Sequence, residues 1–301
     1  DGKSGFFRST DRGETWEQRS DYKTTSAQYY NEIVCDPVDV DRVYALHTFL
    51  RVTHDGGKTF ELQPMGHRHS DHHAMAFDPN DPDYVMYGTD GGLYESFDDG
   101  KTFRFVANLP VTQFYKVAVD YDEPFYNVYG GTQDNNSQGG PTRTWEAAGI
   151  RNSDWFVALF GDGHQPAVDP NNPDIVYAQW QQGNLTRYDR RTGETTYIKP
   201  QAGEGEEPDR YNWDSPILIS PHDSSTLYFG TQRVWKSDDY GDSWTAISGD
   251  LTRDEDRVRR PIMGRTWSYD APRDLYAMSQ FNTVTSLSES PLVPGLIYAG
   301  T

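Results

Sequence analysis

Apolar residues along this chain come in short runs, separated by clusters of Asp, Gly, Pro, Asn and Ser. Typical runs are Val43-Tyr44-Ala45, Val85-Met86-Tyr87-Gly88 and Ile175-Val176-Tyr177-Ala178. Each follows another short apolar run and an Asp-Pro turn, at Asp36-Pro37, Asp78-Pro79 and Asp169-Pro170. β-Branched and aromatic residues bounded by turn formers predict strands joined by tight hairpins, with no long amphipathic helix. Weaker copies start at Ser220-Pro221 and Ser290-Pro291, and a degenerate one at Asp120. The starts at 36, 78 and 120 are 42 residues apart, which matches a four-stranded blade; later spacings of 49, 51 and 70 mark inserted loops.

A second repeat is interleaved with the first. Ser9 to Trp16, Thr53 to Phe60, Ser96 to Phe103 and Ser237 to Trp244 all read Ser/Thr-x-Asp-x-Gly-x-Thr/Ser-aromatic, the Asp-box pattern. Its physical sense is a hairpin turn. The carboxylates of Asp11, Asp55, Asp98 and Asp239 accept bonds from turn amides, Gly permits positive φ, and the hydroxyl closes the loop. The last aromatic starts the next strand and tucks between sheets. Blades are expected over 30–63, 73–107, 114–147, 164–199 and 214–248, with 1–19 ending an earlier blade and 284–301 starting a later one. The blades over 114–147 and 164–199 lack a good box, and Tyr188 to Gly193 is a substitute turn. The prediction is a single all-β domain over 1–301, a β-propeller with five complete and two partial blades. We expect it to be truncated at both ends, from a parent of seven or more blades.

Composition narrows the partners. Aromatics make up 14% of the chain and Gly plus Pro number 45, which suits short strands and tight turns. The formal charge of -19 argues against nucleic acid, because phosphate binding needs a basic stripe, and favours a neutral or cationic ligand. No run approaches the roughly 18 apolar residues of a membrane span. Cys35 is the one cysteine, so an internal disulfide is excluded, and its apolar run predicts a buried thiol. The acidic loop 200–213 is expected to be flexible. The basic stretch 251–270 is expected to be an insertion available for an interdomain contact.

With both repeats in place the sequence resembles the sortilin-type and xyloglucanase-like propellers of secreted proteins, and the large bacterial BNR-repeat proteins labelled glycosyl hydrolases. The resemblance covers nearly the whole chain. It implies a secreted, periplasmic or cell-surface location and neighbouring domains in the parent chain. It does not select a function, since the same repeat serves sialidases, xyloglucanases, sorting receptors and assembly factors. The Arg-Ile-Pro motif of sialidases is absent from the sequence.

Strand order sorts the loops onto two faces. Asp-Pro turns and Asp-box turns share one; loops between strands two and three, and loops entering the next blade, share the other. The second set carries the candidate chemistry. Ligand-binding residues are expected at Asp90, Gln133, Asn135, Trp155, His164, Trp213, Asp214 and Arg233. Inverting glycosidases use two carboxyls roughly 6.5–9.5 Å apart. Asp134 and Asp162, whose loops interrupt the repeat most clearly, are the candidate pair. His69, Asp71 and His73 would share one face of an extended segment, a spacing that suits a divalent metal such as Zn²⁺. The alternative there is pairing of the histidines with Asp90 or with backbone carbonyls. Three functions therefore stay open: a ring that binds a protein, peptide or glycan; an inverting glycoside hydrolase acting on a polysaccharide; and a metal site at the histidine loop.

Overall fold

The computed structural model describes residues 4–26, 29–109, 112–267 and 280–301. Strands β1 (Phe6–Arg8) and β2 (Glu17–Ser20) form a hairpin. Five four-stranded antiparallel meanders follow, each with its strands in sequence order. The first holds β3 (Ile33–Cys35), β4 (Val43–Ala45), β5 (Arg51–Thr53) and β6 (Glu61–Leu62). The second holds β7 (His72–Asp78), β8 (Asp81–Thr89), β9 (Gly92–Ser96) and β10 (Arg104–Phe105). The third holds β11 (Val117–Val119), β12 (Asn127–Gly131), β13 (Ser137–Pro141) and β14 (Phe156–Leu159). The fourth holds β15 (Ala167–Val168), β16 (Ile175–Trp180), β17 (Asn184–Asp189) and β18 (Thr195–Tyr197). The fifth holds β19 (Ile217–Ile219), β20 (Leu227–Gly230), β21 (Val234–Ser237) and β22 (Thr245–Ala246). Two hairpins close the described chain: β23 (Pro261–Ile262) with β24 (Arg265–Thr266), and β25 (Ser286–Glu289) with β26 (Ile297–Gly300). These meanders are β-propeller blades. Residues 1–111 and 112–301 pack as two compact units.

All four octapeptide turns are built alike. The carboxylates of Asp11, Asp55, Asp98 and Asp239 each accept the amide four residues on, at 2.8–2.9 Å. The hydroxyls of Ser9, Thr53, Ser96 and Ser237 donate to the same carboxylates and accept the amides of Gly13, Gly57, Gly100 and Gly241. Two successive residues per turn have positive φ, as in Asp99 (56°) and Gly100 (75°), so the second is glycine in every copy. The octapeptide turns also meet the Asp-Pro turns of their own blades. Gly56 donates to the Asp41 carbonyl, Asp99 to Asp83 and Tyr240 to Ser225. Both turn sets therefore share one face, as strand order predicts. Asp189 and Gly193 close the substitute turn between β17 and β18.

Blade-to-blade contact uses the turn aromatics and a set of arginines. The Trp244 indole donates to the Ile198 carbonyl at 2.7 Å, across the seam between the fourth and fifth meanders. Phe60 stacks on Tyr22 at 4.0 Å. Trp16 departs from this pattern, being 63% exposed with its indole on the Gly13 carbonyl. Arg42 bridges Asp36 of its own blade and Asp99 of the next; Arg187 pairs with Asp242 at 2.9 Å. Between them lie three apolar clusters, around Tyr44, Leu50, Val85 and Tyr87; around Tyr129, Val168 and Val176; and around Tyr177, Leu185, Leu227 and Phe229. In residues 112–301 the first strands β11, β15, β19 and β25 lie side by side in order.

Three expectations are corrected. The fourth strand of the third meander is β14, beyond the expected limit at 147, because residues 142–155 form an insertion before it. Cys35 is exposed: on β3 only Val34 faces the core, and Ile33 and Cys35 take the opposite side of the pleat. The 200–213 loop is pinned, with Asp209 on Arg233 at 2.8 Å and the Tyr211 hydroxyl on the Pro200 carbonyl. In the 251–270 stretch the arginines pair locally, Arg259 with Asp256 and Arg260 with Glu255; residues 268–270 lie outside the described residues.

The turn carboxylates predict an acid-sensitive contribution. The Thr102 amide and then the Thr102 hydroxyl hold Asp98 down to about 2. A carboxyl lowered in the fold stabilises it fully above the ordinary aspartate range, and that stability is lost as pH falls through about 2. Exposure to solvent keeps the effect small. Asp98→Asn is expected to lower Tm at neutral pH by on the order of 2 °C, with the deficit closing near pH 2. Thermal melts at both pH values check it.

Candidate functional site

The third meander carries the most elaborate loop cluster in residues 112–301. The β12–β13 connection (132–136) crosses the segment leaving β14 (160–164). Gly163 donates to the Thr132 carbonyl at 2.8 Å, and Asn136 donates to Gly161 at 3.0 Å. The Asn136 side chain accepts the Gly161 amide at 3.1 Å. Such close crossing requires bare backbone. A Cβ on Gly131 would lie 2.0 Å from the His164 carbonyl oxygen, and one on Gly163 would lie 2.3 Å from that of Asn136. Asp134 (φ 64°) and Asn136 (φ 71°) hold left-handed backbone, which costs energy for non-glycine residues and recurs at functional loops.

The crossing sets two carboxyl groups together. The Asp134 amide donates to Asp162 Oδ1 at 3.2 Å. Burial first, and the Asp134 charge second, push the Asp162 carboxyl up; the Asp134 amide and the Gln181 side chain oppose them. A protonated Asp162 donates a hydrogen bond as well as accepting one. Aromatic surface adjoins it. Phe160 is 77% exposed, Gly161 packs on Trp180, and Trp180 lies 5.8 Å from Tyr197.

His164 sits behind the pair, fully buried, between the Tyr115 ring at 5.2 Å and the Trp213 ring at 5.6 Å. Burial pushes its pKa down, against the pull of Asp214 and Asp162. The Tyr115 hydroxyl donates to Gln133. Asn135 donates to the Gln133 carbonyl and accepts the Gln138 side chain, which folds the tip of the loop. Asp214 accepts the Gln165 amide at 3.0 Å and pairs with Lys116 at 3.1 Å.

Other expected residues fall elsewhere. Trp155 precedes β14 while Asp162 follows it, so the two lie at opposite ends of that strand; Trp155 packs on Gly140 instead. Arg233 is held by Asp209 and by Glu206 at 3.5 Å. In residues 1–111, His69, Asp71 and His73 do not form a three-ligand group. Asp71 has φ 65°, which breaks the alternation that would give the three one face. His69 Nδ1 meets the Ser70 carbonyl at 3.0 Å, His73 pairs with Asp90 at 3.0 Å, and Asp71 accepts the Tyr30 and Ser70 hydroxyls. Among the described residues no group of three His, Cys, Asp or Glu side chains is arranged to hold a metal ion. The Tyr30 ring lies between His47 at 5.6 Å and His73 at 5.1 Å.

Sequence reasoning missed Trp180, Gln181 and Tyr197. Trp180 to Gly183 is the fourth meander's loop between strands two and three. The rule that selected Gln133, Asp134 and Asn135 applies to it equally.

The match to a family model agrees with the blade architecture. The model of the Sortilin-Vps10 family (sortilin, neurotensin receptor 3) matches residues 4–146, so the chain resembles the sortilin-type propellers over that stretch. No curated protein matches. Among solved structures, a GH74 enzyme from Niastella koreensis is 16% identical with TM-score 0.33, over 81% of this chain and 42% of its own. The GH74 xyloglucanase from Xanthomonas campestris is 17% identical with TM-score 0.32, over 83% and 43%. YCF48 bound to D1 peptide is 13% identical with TM-score 0.29, over 81% and 77%. The chain thus spans less than half the length of the GH74 enzymes it matches.

The bare crossing is testable. Gly163→Ala forces backbone apart and is expected to cost about 2–4 kcal/mol in urea denaturation. Gly249 has nothing within 4 Å of its Cβ position. Gly249→Ala is expected to stay within about 0.5 kcal/mol of the parent.

Proposed function

We propose that this chain is part of an extracytoplasmic propeller that binds a neutral or cationic glycan at the crossing of the Asp134 and Asp162 loops. The supporting observation is the half-buried Asp162 carboxyl, pushed up by burial and by Asp134, beside the exposed aromatic surface of Phe160 and Tyr197. Carboxyl and amide groups recognise sugar hydroxyls, and aromatic faces stack on sugar rings. The net charge of -19 disfavours polyanionic glycans. Among the described residues no helix is long and apolar enough to cross a membrane.

A second reading uses the same pair as an inverting glycosidase. Asp162, with its raised pKa, is the general acid and Asp134 the base that activates water. Two assays on Asp162→Asn separate the readings, with neutral and amino-sugar oligosaccharides as probes. If the site only binds, Asp162→Asn weakens calorimetric affinity about tenfold and no reducing sugar is released by either protein. If it is a hydrolase, the parent releases reducing sugar and Asp162→Asn loses at least about 100-fold in rate with affinity kept. Unchanged affinity together with no hydrolysis by the parent contradicts both.

A further inference from the structure

His164 is a buried titratable residue to which the glycan reading gives no task. It is fully buried, and neither Nδ1 nor Nε2 has a hydrogen-bond partner among the described residues. Its ring packs against Tyr115 at 5.2 Å and Trp213 at 5.6 Å. Such packing suits a phenyl ring equally, and a phenyl ring would leave no polar atom unsatisfied. A neutral imidazole here strands one N–H. An imidazolium strands two and adds a charge. Burial accordingly pushes the pKa of His164 down.

The charged groups facing His164 are Asp214, Asp162 and Lys116, with the Tyr115 phenol against its ring. Asp214 is already engaged by Lys116 at 3.1 Å and by the Gln165 amide at 3.0 Å. Asp162, itself pushed up, ceases to attract an imidazolium once it takes its proton. The surroundings are also tight. A Cβ on Gly131 would lie 2.3 Å from the His164 amide nitrogen. His164 ends the segment 160–164, which is tied to 132–136 by Gly163 on Thr132 and by Asn136 and Gly161 in both directions. The Tyr115 that packs on its ring donates from its hydroxyl to Gln133, in the other loop.

We propose that His164 is an acid latch for the crossing: uncharged, it holds segment 160–164 against 132–136, and protonation draws the ring out to water and parts the two loops. The latch deepens the glycan reading, on which only its consequence rests, namely that acid weakens sugar binding. A base lowered in the fold leaves the closed form fully stable above its ordinary value of about 6.5 and withdraws stability as pH falls below it. Asp162 acts in the opposite sense, since a carboxyl raised in the fold favours the closed form as it takes up its proton. A loosening on acidification therefore belongs to His164, and a tightening to Asp162.

The test is amide hydrogen exchange of the ligand-free protein by NMR, with the His164 ring titrated in the same samples. Protection of the Gly163 amide, taken relative to an unstructured amide, is expected to fall at least about tenfold from about pH 7.5 to about pH 5. The fall should follow the ring titration while the amides of β16 keep their protection. In His164→Phe, which keeps a ring and removes the titration, the fall is expected to stay under about twofold. Constant Gly163 protection through the His164 midpoint, or a ring that does not titrate down to about pH 4.5, overturns the latch whether or not the variant folds. An equal fall in His164→Phe, or one shared by β16, overturns it by assigning the loss to another group or to unfolding. Calorimetry with a neutral oligosaccharide checks the consequence, an affinity at least about fivefold weaker at the lower pH. Affinity that holds or rises while Gly163 loses protection contradicts that consequence. No binding at either pH contradicts the glycan reading, and the exchange data alone then decide the latch.

Discussion

In the N-terminal hairpin and in the first, second and fifth meanders, one carboxylate holds the hairpin on which the blade is built. In each octapeptide turn an aspartate gathers the amide and hydroxyl four residues on and the hydroxyl two residues back. That hub sets the left-handed pair of residues at the tip and starts the fourth strand on an aromatic residue. Trp244 and Phe60 then reach the preceding blade, where backbone carbonyls and rings receive them. The turn residues also carry the seam charges, since Asp99 and Asp242 lie within these octapeptides. Local turn chemistry and blade packing are therefore two ends of the same eight residues.

The candidate site obeys a different constraint. Its loops are positioned by backbone crossing at Gly131 and Gly163. The crossing fixes Asp134 beside Asp162 through a main-chain amide. Burial and like charge act in the same direction on Asp162. Lys116, the nearby cation, is committed to Asp214 and to Gln165. The site is thus built so that the Asp162 carboxyl is pushed up beside Asp134.

How much of this the sequence disclosed depends on the range of the interactions. The octapeptide turns were fully legible because every partner lies within five residues. Asp134 and Asp162 were legible as a pair because both interrupt the repeat. The histidine loop was misread where alternation was assumed through Asp71, whose positive φ turns the chain. Trp155 was misplaced because an insertion shifts the fourth strand of its meander beyond the repeat length.

The central claim is that Asp134 and burial together keep Asp162 protonated above the ordinary aspartate range. It is tested most directly by carbon-detected NMR titration of the Asp162 carboxyl in the parent chain and in Asp134→Asn. The account predicts a midpoint clearly above about 4 in the parent, falling in Asp134→Asn as the like charge is removed. An Asp162 midpoint at or below the ordinary value, unmoved by the substitution, would contradict it.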